Sequence, residues 1–435
     1  MTQTKVTATP TGTNAARSDA SANARDILAG LGARPSIPRS EYAVRRQLVR
    51  GAAAEAGLDG VVAWSMGGST LDRYANVFWL TNHYEIGNVF PDVAPIFTGF
   101  GQAALVLPTN GESILVVNQP DWRDDLVESD RVWVRRDLYG GVVEALASAG
   151  LDRGRVGLAD EERMSATALR ALQSGLPDAE LVRADELLLG LRLVKSPAEI
   201  QMMRYSSAVS SELVKAMFTE VAEGRTDGDV ASAGYALAAR LGAAPYDFAM
   251  ASGPDDGHLW WARMPSFDWE RPYRNGDIVH PDVYGAVGGY FYDFVRAIVV
   301  GGEPTPDQLE ILEAAIACIH AACAAAVVGA KARDLYGACH GELARRGLSH
   351  RPDTDPKASI LSADYLESAG HGIGVGWEPP TLTPYDETVL MPGMTLAVEQ
   401  HVTKAGVGTV RFEETVLITE NGPEIMTGGC PARWW

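Results

Sequence analysis

The sequence is short of cysteine, of long apolar runs and of positive charge, and each shortage narrows what the chain can be. Its four cysteines, Cys318, Cys323, Cys339 and Cys430, are spread over 435 residues without a C-x-x-C pair. They are too few for a disulfide framework, which points to a reducing compartment and a cytoplasmic setting. Cys318, His320 and Cys323 share one expected helix, at a spacing that fits no standard zinc pattern. No apolar run reaches the roughly 18 residues needed to cross a bilayer. The longest such stretch, Ala314 to Val328, is Ala-rich, contains His320 and reads as a buried helix. Lys and Arg number 37 against 56 Asp and Glu, a net charge of −19. Phosphate binding needs clustered basic side chains, so nucleic acid is excluded, and cationic or metal partners suit the chain better. Residues 1 to about 25 carry almost no bulky apolar side chains, so 1–37 is expected to be a disordered tail. No apolar segment follows as in a secretory signal, and Asp19 and Asp26 argue against a transit peptide.

What is present organises into two domains. Between 38 and 185, short apolar runs such as GVVAWS, VFWLTN, AALVLP and SILVVN alternate with expected helices over Glu41–Ala56, Tyr139–Ala149 and Ser165–Ser174, the pattern of an α/β domain. At Ser196-Pro197-Ala198-Glu199 a serine cap, a proline at the first helical position and a glutamate at the third announce a long helix opening a second domain, 186–435.

That second domain repeats itself. In residues 275–304 and again in 392–424, a glycine is followed six residues later by an acid: Gly276 by Asp282, Gly393 by Glu399. Each segment then passes a Gly-containing turn and returns as a β-rich run with a second acid, Asp293 or Glu414. Two hairpins, each offering two carboxylates, are expected. Strand alternation puts Asp293 with Phe291 and Val295, and Glu414 with Val410, Phe412 and Val416, each a lone acid on an apolar face. Such an acid is costly unless paired or coordinated. With His371 in GHGIGVGWEPP (370–380), the set Asp282, Asp293, His371, Glu399 and Glu414 offers four carboxylates and an imidazole. Two divalent cations, Mn, Fe, Co or Zn, would balance it. The glycines around His371 are expected to let the backbone pass close to the metals. Pro281 implies an edge or bulge in its strand, which makes the alternation of His280 with Asp282 unreliable.

The pieces LRLVKSPAEIQMMRYSSAV (191–209), GDIVHPDV and YDFVRA (within 276–297), GHGIGVGWEPP, PGMTLAVEQ (392–400) and RFEETVLITENG (411–422) resemble, in order, the pita-bread metalloenzymes: methionine aminopeptidase, aminopeptidase P, prolidase and creatinase-like proteins. The resemblance implies an α/β creatinase-like N-terminal domain and an α+β pita-bread catalytic domain with a pseudo-twofold repeat. It implies two metal ions on the five ligands, with Asp293 and Glu414 bridging and Glu399 also exchanging a proton with the nucleophile. It places His258 facing substrate, against a surface-loop alternative, and Arg296 and Arg411 orienting the acids. The acidic, tryptophan-rich composition adds an aromatic pocket near Trp260, Trp261 and Trp377, with His83 as a further candidate. It further implies a homodimer in which one subunit's N-terminal domain, around His83 and Tyr84, reaches the other's site. One departure stands out. Where family peptidases carry a His-Glu pair, this chain has Trp377-Glu378, so Glu378 is either an acid/base group or a loop carboxylate. The activity implied is hydrolysis of a C–N bond in a small molecule or dipeptide, by a Xaa-Pro peptidase or a non-peptide amide hydrolase. The alternatives are a lyase of the dimethylsulfoniopropionate type, with Glu378 as base, and a metal-free binding scaffold.

Overall fold

The computed structural model describes the chain except for residues 1–13, 67–73, 86–89, 254–266, 268–269, 349–367 and 405. The N-terminal half carries helices α1 (Asn14–Leu31), α2 (Arg39–Glu55), α3 (Ala75–Thr81), α4 (Leu138–Ser148), α5 (Ala166–Gly175) and α6 (Asp185–Arg192). Its strands are β1 (Gly60–Met66), β2 (Gln102–Pro108), β3 (Ile114–Val117), β4 (Arg131–Val134), β5 (Arg155–Leu158) and β6 (Glu180–Arg183). They form one mixed sheet in the order β4-β3-β2-β1-β5-β6. The fully buried runs AALVLP and ILVV are β2 and β3, apolar on both faces because helices cover both. Ser165 and Asp137 cap α5 and α4 through their side chains.

The tail departs from expectation. Residues 14–31 form α1, whose Ala24 is buried and whose Ile27, Leu28 and Leu31 pack into the core of the second half. Its bulky apolar residues, Ile27, Leu28 and Leu31, crowd into the last two turns, so the segment as a whole reads as polar.

The C-terminal half begins with α7 (Pro197–Phe218), whose Ser196–Glu199 capping box forms as the sequence predicts. Glu199 also ties the halves together: its Oε1 accepts from Trp79 Nε1 (2.9 Å) and Tyr290 Oη (3.0 Å) and lies 3.2 Å from Arg45. After α7 come α8 (Asp227–Leu241), β7 (Ala243–Ser252), β8 (Ile278–Val287), β9 (Tyr290–Val295), β10 (Ile298–Val299), α9 (Pro306–Ala325), α10 (Ala332–Arg345), β11 (Gly370–Ile373), β12 (Trp377–Thr381), β13 (Thr395–Lys404), β14 (Gly408–Thr419) and β15 (Gly422–Ile425). One sheet runs β10-β8-β7 with β9 on β8, and the other β12-β11-β13-β14-β15. Cores lie beneath α7/α8 and beneath α9/α10. The internal repeat is visible here. Gly276 (φ 89°) and Gly393 (φ 91°) enter the two hairpins in the same left-handed conformation. Helices α7 and α9 each open with a capping box and a proline in the first turn. Among the described residues, α9 is the one helix long and apolar enough to cross a membrane; Ile311, Leu312, Ala315, Cys318, Ile319 and Ala322 on it are buried in the core.

Pro281 produces no bulge. It pairs with Met250 on β7, and on its other side it falls between Asp282, which pairs with Val295 of β9, and Val279, which pairs with Ile298 of β10. The missing N–H sits at this gap, so alternation survives and His280 keeps the face of Asp282.

Candidate metal centre

Hairpins β8/β9 and β13/β14 bring their acids together. Ligand atoms of Asp282, Asp293 and Glu413 lie within 4.8 Å of one another, and all three residues are buried. Glu399 is paired across β13/β14 with Glu413. His371, on β11 beside β13, brings Nε2 to 3.5 Å from Asp293 Oδ2 and 3.9 Å from Glu399 Oε1. Its Nδ1 is 2.9 Å from the Gly372 carbonyl oxygen, which sets the ring's orientation. Arg411 donates to Asp282 Oδ2 and, at 2.5 Å, to Glu399 Oε2.

The glycines beside His371 serve the sheet. A Cβ on Gly370 would stand 2.0 Å from the Ala397 carbonyl oxygen, and one on Gly372 2.2 Å from that of Pro379. β11 is squeezed between β12 and β13, and close strand approach, not approach to metals, demands glycine.

Glu414 must be corrected. The expectation placed it among the ligands, but its carboxylate lies on the opposite face of β14. There Arg296 Nη2 reaches Oε1 at 2.6 Å and Thr427 Oγ1 donates to Oε2. Against its burial, His320, Arg296 and Thr427 hold its pKa below the ordinary range. Its neighbour Glu413 takes its place in the cluster with Asp282 and Asp293. The sequence held the signal: Val410, Phe412, Val416 and Ile418 form the face that packs under α9 and α10, so Arg411, Glu413 and Thr415 face the other way. Arg296 stands behind the site: it also donates to the Glu413 carbonyl and sits over Phe412 at 4.1 Å.

Glu378 is also corrected. It is buried, with Oε1 held by Arg192 Nη2 (2.5 Å) and Nε (3.1 Å) and Oε2 by Lys195 Nζ (2.7 Å). Burial opposes ionisation, but Arg192 and Lys195 outweigh it and hold the carboxyl below its usual range. A carboxylate so committed is a brace, not an acid or base. Trp377 points the other way along β12, into the cluster: Nε1 donates to Asp293 Oδ2 at 3.0 Å, and the indole lies 4.6 Å from the His371 ring. His83 is buried in the N-terminal half, its Nε2 has no hydrogen-bond partner, and burial pushes its pKa down to about 4. No hydrogen bond or ion pair joins it to the cluster among the described residues. His258, Trp260 and Trp261 lie outside the described residues.

The electrostatics call for cations. Burial first, then Asp293 and Glu399 against the opposing Arg411, pushes Asp282 up to about 8. Burial, then Asp293, Glu399 and Asp282, holds Glu413 well above the carboxylate range. Burial would lower His371, but Asp293 and Glu399 outweigh it and raise it to about 9. Asp282 Oδ1, both Glu413 oxygens and His371 Nε2 are buried without hydrogen-bond partners. Groups that strain to stay protonated, with bare donor atoms converging from two sheets, fit divalent metal ions.

The fold and this cluster define a class, and sequence comparison fixes it: the chain belongs to metallopeptidase family M24, whose model matches residues 201–420, and the creatinase/prolidase N-terminal domain matches 45–194. It is a metal-dependent hydrolase with the pita-bread catalytic fold, and the family implies divalent metal ions. The Xaa-Pro dipeptidase of Pyrococcus furiosus is 30% identical over 252 residues, 57% of this chain and 67% of that protein. The probable dipeptidase PepE of Mycobacterium tuberculosis is 27% identical over 409 residues, 90% of this chain and 95% of its own. The prolidase from Pyrococcus horikoshii shares the fold with a TM-score of 0.73 at 21% identity, covering 90% of this chain and 99% of that one.

Proposed function

We propose that the chain is a dinuclear metal-dependent peptidase that cleaves the C–N bond of a dipeptide or similarly small amide, with Xaa-Pro dipeptides as the first substrates to try. The observation that carries this is the convergence of Asp282, Asp293 and Glu413 within 4.8 Å, with His371 and Glu399 beside them. Asp282, Asp293, His371, Glu399 and Glu413 would hold the ions. Bound divalent ions supply a Lewis acid for the scissile carbonyl and lower the pKa of a coordinated water. Arg411 fixes the planes of Asp282 and Glu399, and leaves Glu399 Oε1 on the His371 side for proton exchange. The dipeptidase names of the Pyrococcus and Mycobacterium relatives support a dipeptide substrate. Manganese is the ion to test first.

The elimination alternative assigned its base to Glu378, whose oxygens are taken by Arg192 and Lys195. The metal-free scaffold loses its motive when five ligand-type side chains survive together. A cytoplasmic setting is supported by four buried cysteines that remain free thiols. A homodimer completes the proposal; sedimentation should give twice 46.5 kDa. The function is tested by reconstituting chelated protein with Mn²⁺, Co²⁺ or Zn²⁺ and assaying Xaa-Pro dipeptides beside non-proline dipeptides and small non-peptide amides. Metal-dependent release of proline supports it. No cleavage of any dipeptide or amide with any ion would overturn it.

A further inference from the structure

Trp377 is the residue that the ligand set leaves unexplained. It stands one place before Glu378, which Arg192 and Lys195 grip on the far side of β12. Arg192 is itself tied to the N-terminal half: its Nη1 donates to Asn76 Oδ1 at 2.8 Å, and Asn76 Nδ2 to Asp160 Oδ1 at 2.9 Å. The segment between His371 and Glu378 is therefore pinned. Val375 N donates to Glu378 Oε1 at 3.2 Å, and a Cβ on Gly374 would meet that carboxylate at 2.7 Å. Alternation then drives the Trp377 side chain into the cluster. There its single donor is spent on one oxygen of one acid, Asp293 Oδ2, at 3.0 Å. The same ring covers His371 at 4.6 Å, with 35° between the planes.

An indole has no acceptor and no titratable proton at working pH, so it cannot ligate a metal or shuttle a proton. What it can do is hold a carboxylate in one rotation and a neighbouring imidazole in one plane. We infer that Trp377 is a positioning residue of the metal centre: its N–H locks Asp293 so that Oδ2 stays on the His371 side, and its ring keeps His371 facing that oxygen. Outer groups that orient ligands in this way are worth about 10–100-fold in metal affinity when removed. This role rests on Asp293 and His371 being ligands.

The test uses full-length protein freed of metal with a chelator and titrated with Co²⁺, reading affinity by calorimetry and ligand field by visible absorption. Trp377→Phe keeps a ring over His371 and deletes the donor; Trp377→His restores an N–H. Trp377→Phe should bind Co²⁺ at least 10-fold more weakly with altered visible bands, and Trp377→His should recover part of the loss. Wild-type affinity and an unchanged spectrum in Trp377→Phe overturn the proposal, as does equal loss in both variants, which assigns the effect to packing alone. A readout that needs no variant is the indole ¹⁵N–H spectrum of the wild type titrated with Zn²⁺. One slowly exchanging indole signal should shift as the metal binds, and no shift in any of them overturns the role. If wild-type protein binds no metal at all, the ligand set itself is wrong, an outcome distinct from loss in the variants alone.

Discussion

Replacing each of two neighbouring glutamates by glutamine separates a ligand from a brace. Glu413 has both oxygens buried without donors beside Asp282, Asp293 and Glu399. In metal-free protein its charge is a liability, so Glu413→Gln should raise the melting temperature of the chelated form. Glu414 neutralises Arg296, whose side chain is only 1% exposed. Removing one partner of a buried pair costs on the order of 3–5 kcal/mol, so Glu414→Gln should lower the same melting temperature. The response to metal separates them a second time. A ligand at 100 times its Kd stabilises by about 2.7 kcal/mol, which at roughly 2–4 °C per kcal/mol for a domain of 150–250 residues is a rise of about 5–10 °C. Wild type and Glu414→Gln should both show that rise on adding Mn²⁺, and Glu413→Gln should lose most of it. Differential scanning fluorimetry with chelator and with Mn²⁺ reads all six states. A metal-dependent rise kept in Glu413→Gln and lost in Glu414→Gln would refute the assignment and return Glu414 to the site.

Three further outcomes follow from the same geometry. Glu378→Gln leaves Arg192 and Lys195 buried beside a neutral group and should cost about 3–5 kcal/mol in urea unfolding; an unchanged midpoint would show that the brace carries no load. His83, held neutral with its pKa displaced from 6.5 to about 4, adds stability that is complete above pH 6.5 and lost as pH falls toward 4. At about 1.4 kcal/mol per pH unit this is worth about 3 kcal/mol, and His83→Asn should flatten that part of the stability profile; a slope equal to wild type contradicts the burial argument. His371→Ala should retain the metal-free fold and lose metal affinity by calorimetry, and full affinity in that variant would remove the imidazole from the ligand set.

Much of this is legible in the sequence, because strand chemistry writes itself with period two. The two hairpins with their glycine entries at Gly276 and Gly393, and the acids Asp282, Asp293 and Glu399 that they carry, read directly, whereas the glycines around His371 were noticed for the wrong reason. Glu413-Glu414 was ambiguous because adjacent acids in a strand face opposite ways, and the argument that a lone acid on an apolar face must be ligated ignored a cation from the other hairpin region, just after β9. Arg296 supplies that cation across 118 positions of sequence, which no local pattern reveals. Glu378 misled for the same reason, since Arg192 and Lys195 lie 186 and 183 positions away. Pro281 misled in the other direction. A proline in a strand signals a missing hydrogen bond, but only the strand order shows that β9 and β10 leave a gap at that place.

The most direct measurement is an anomalous difference map from crystals of the full chain grown with Mn²⁺ and recorded at a wavelength where manganese scatters anomalously. Two peaks about 3.5–4 Å apart, enclosed by Asp282, Asp293, His371, Glu399 and Glu413 with Glu414 turned away on Arg296, are the expected result. Peaks at any other place, or manganese bound through Glu414 while Glu413 stays outside, would contradict it.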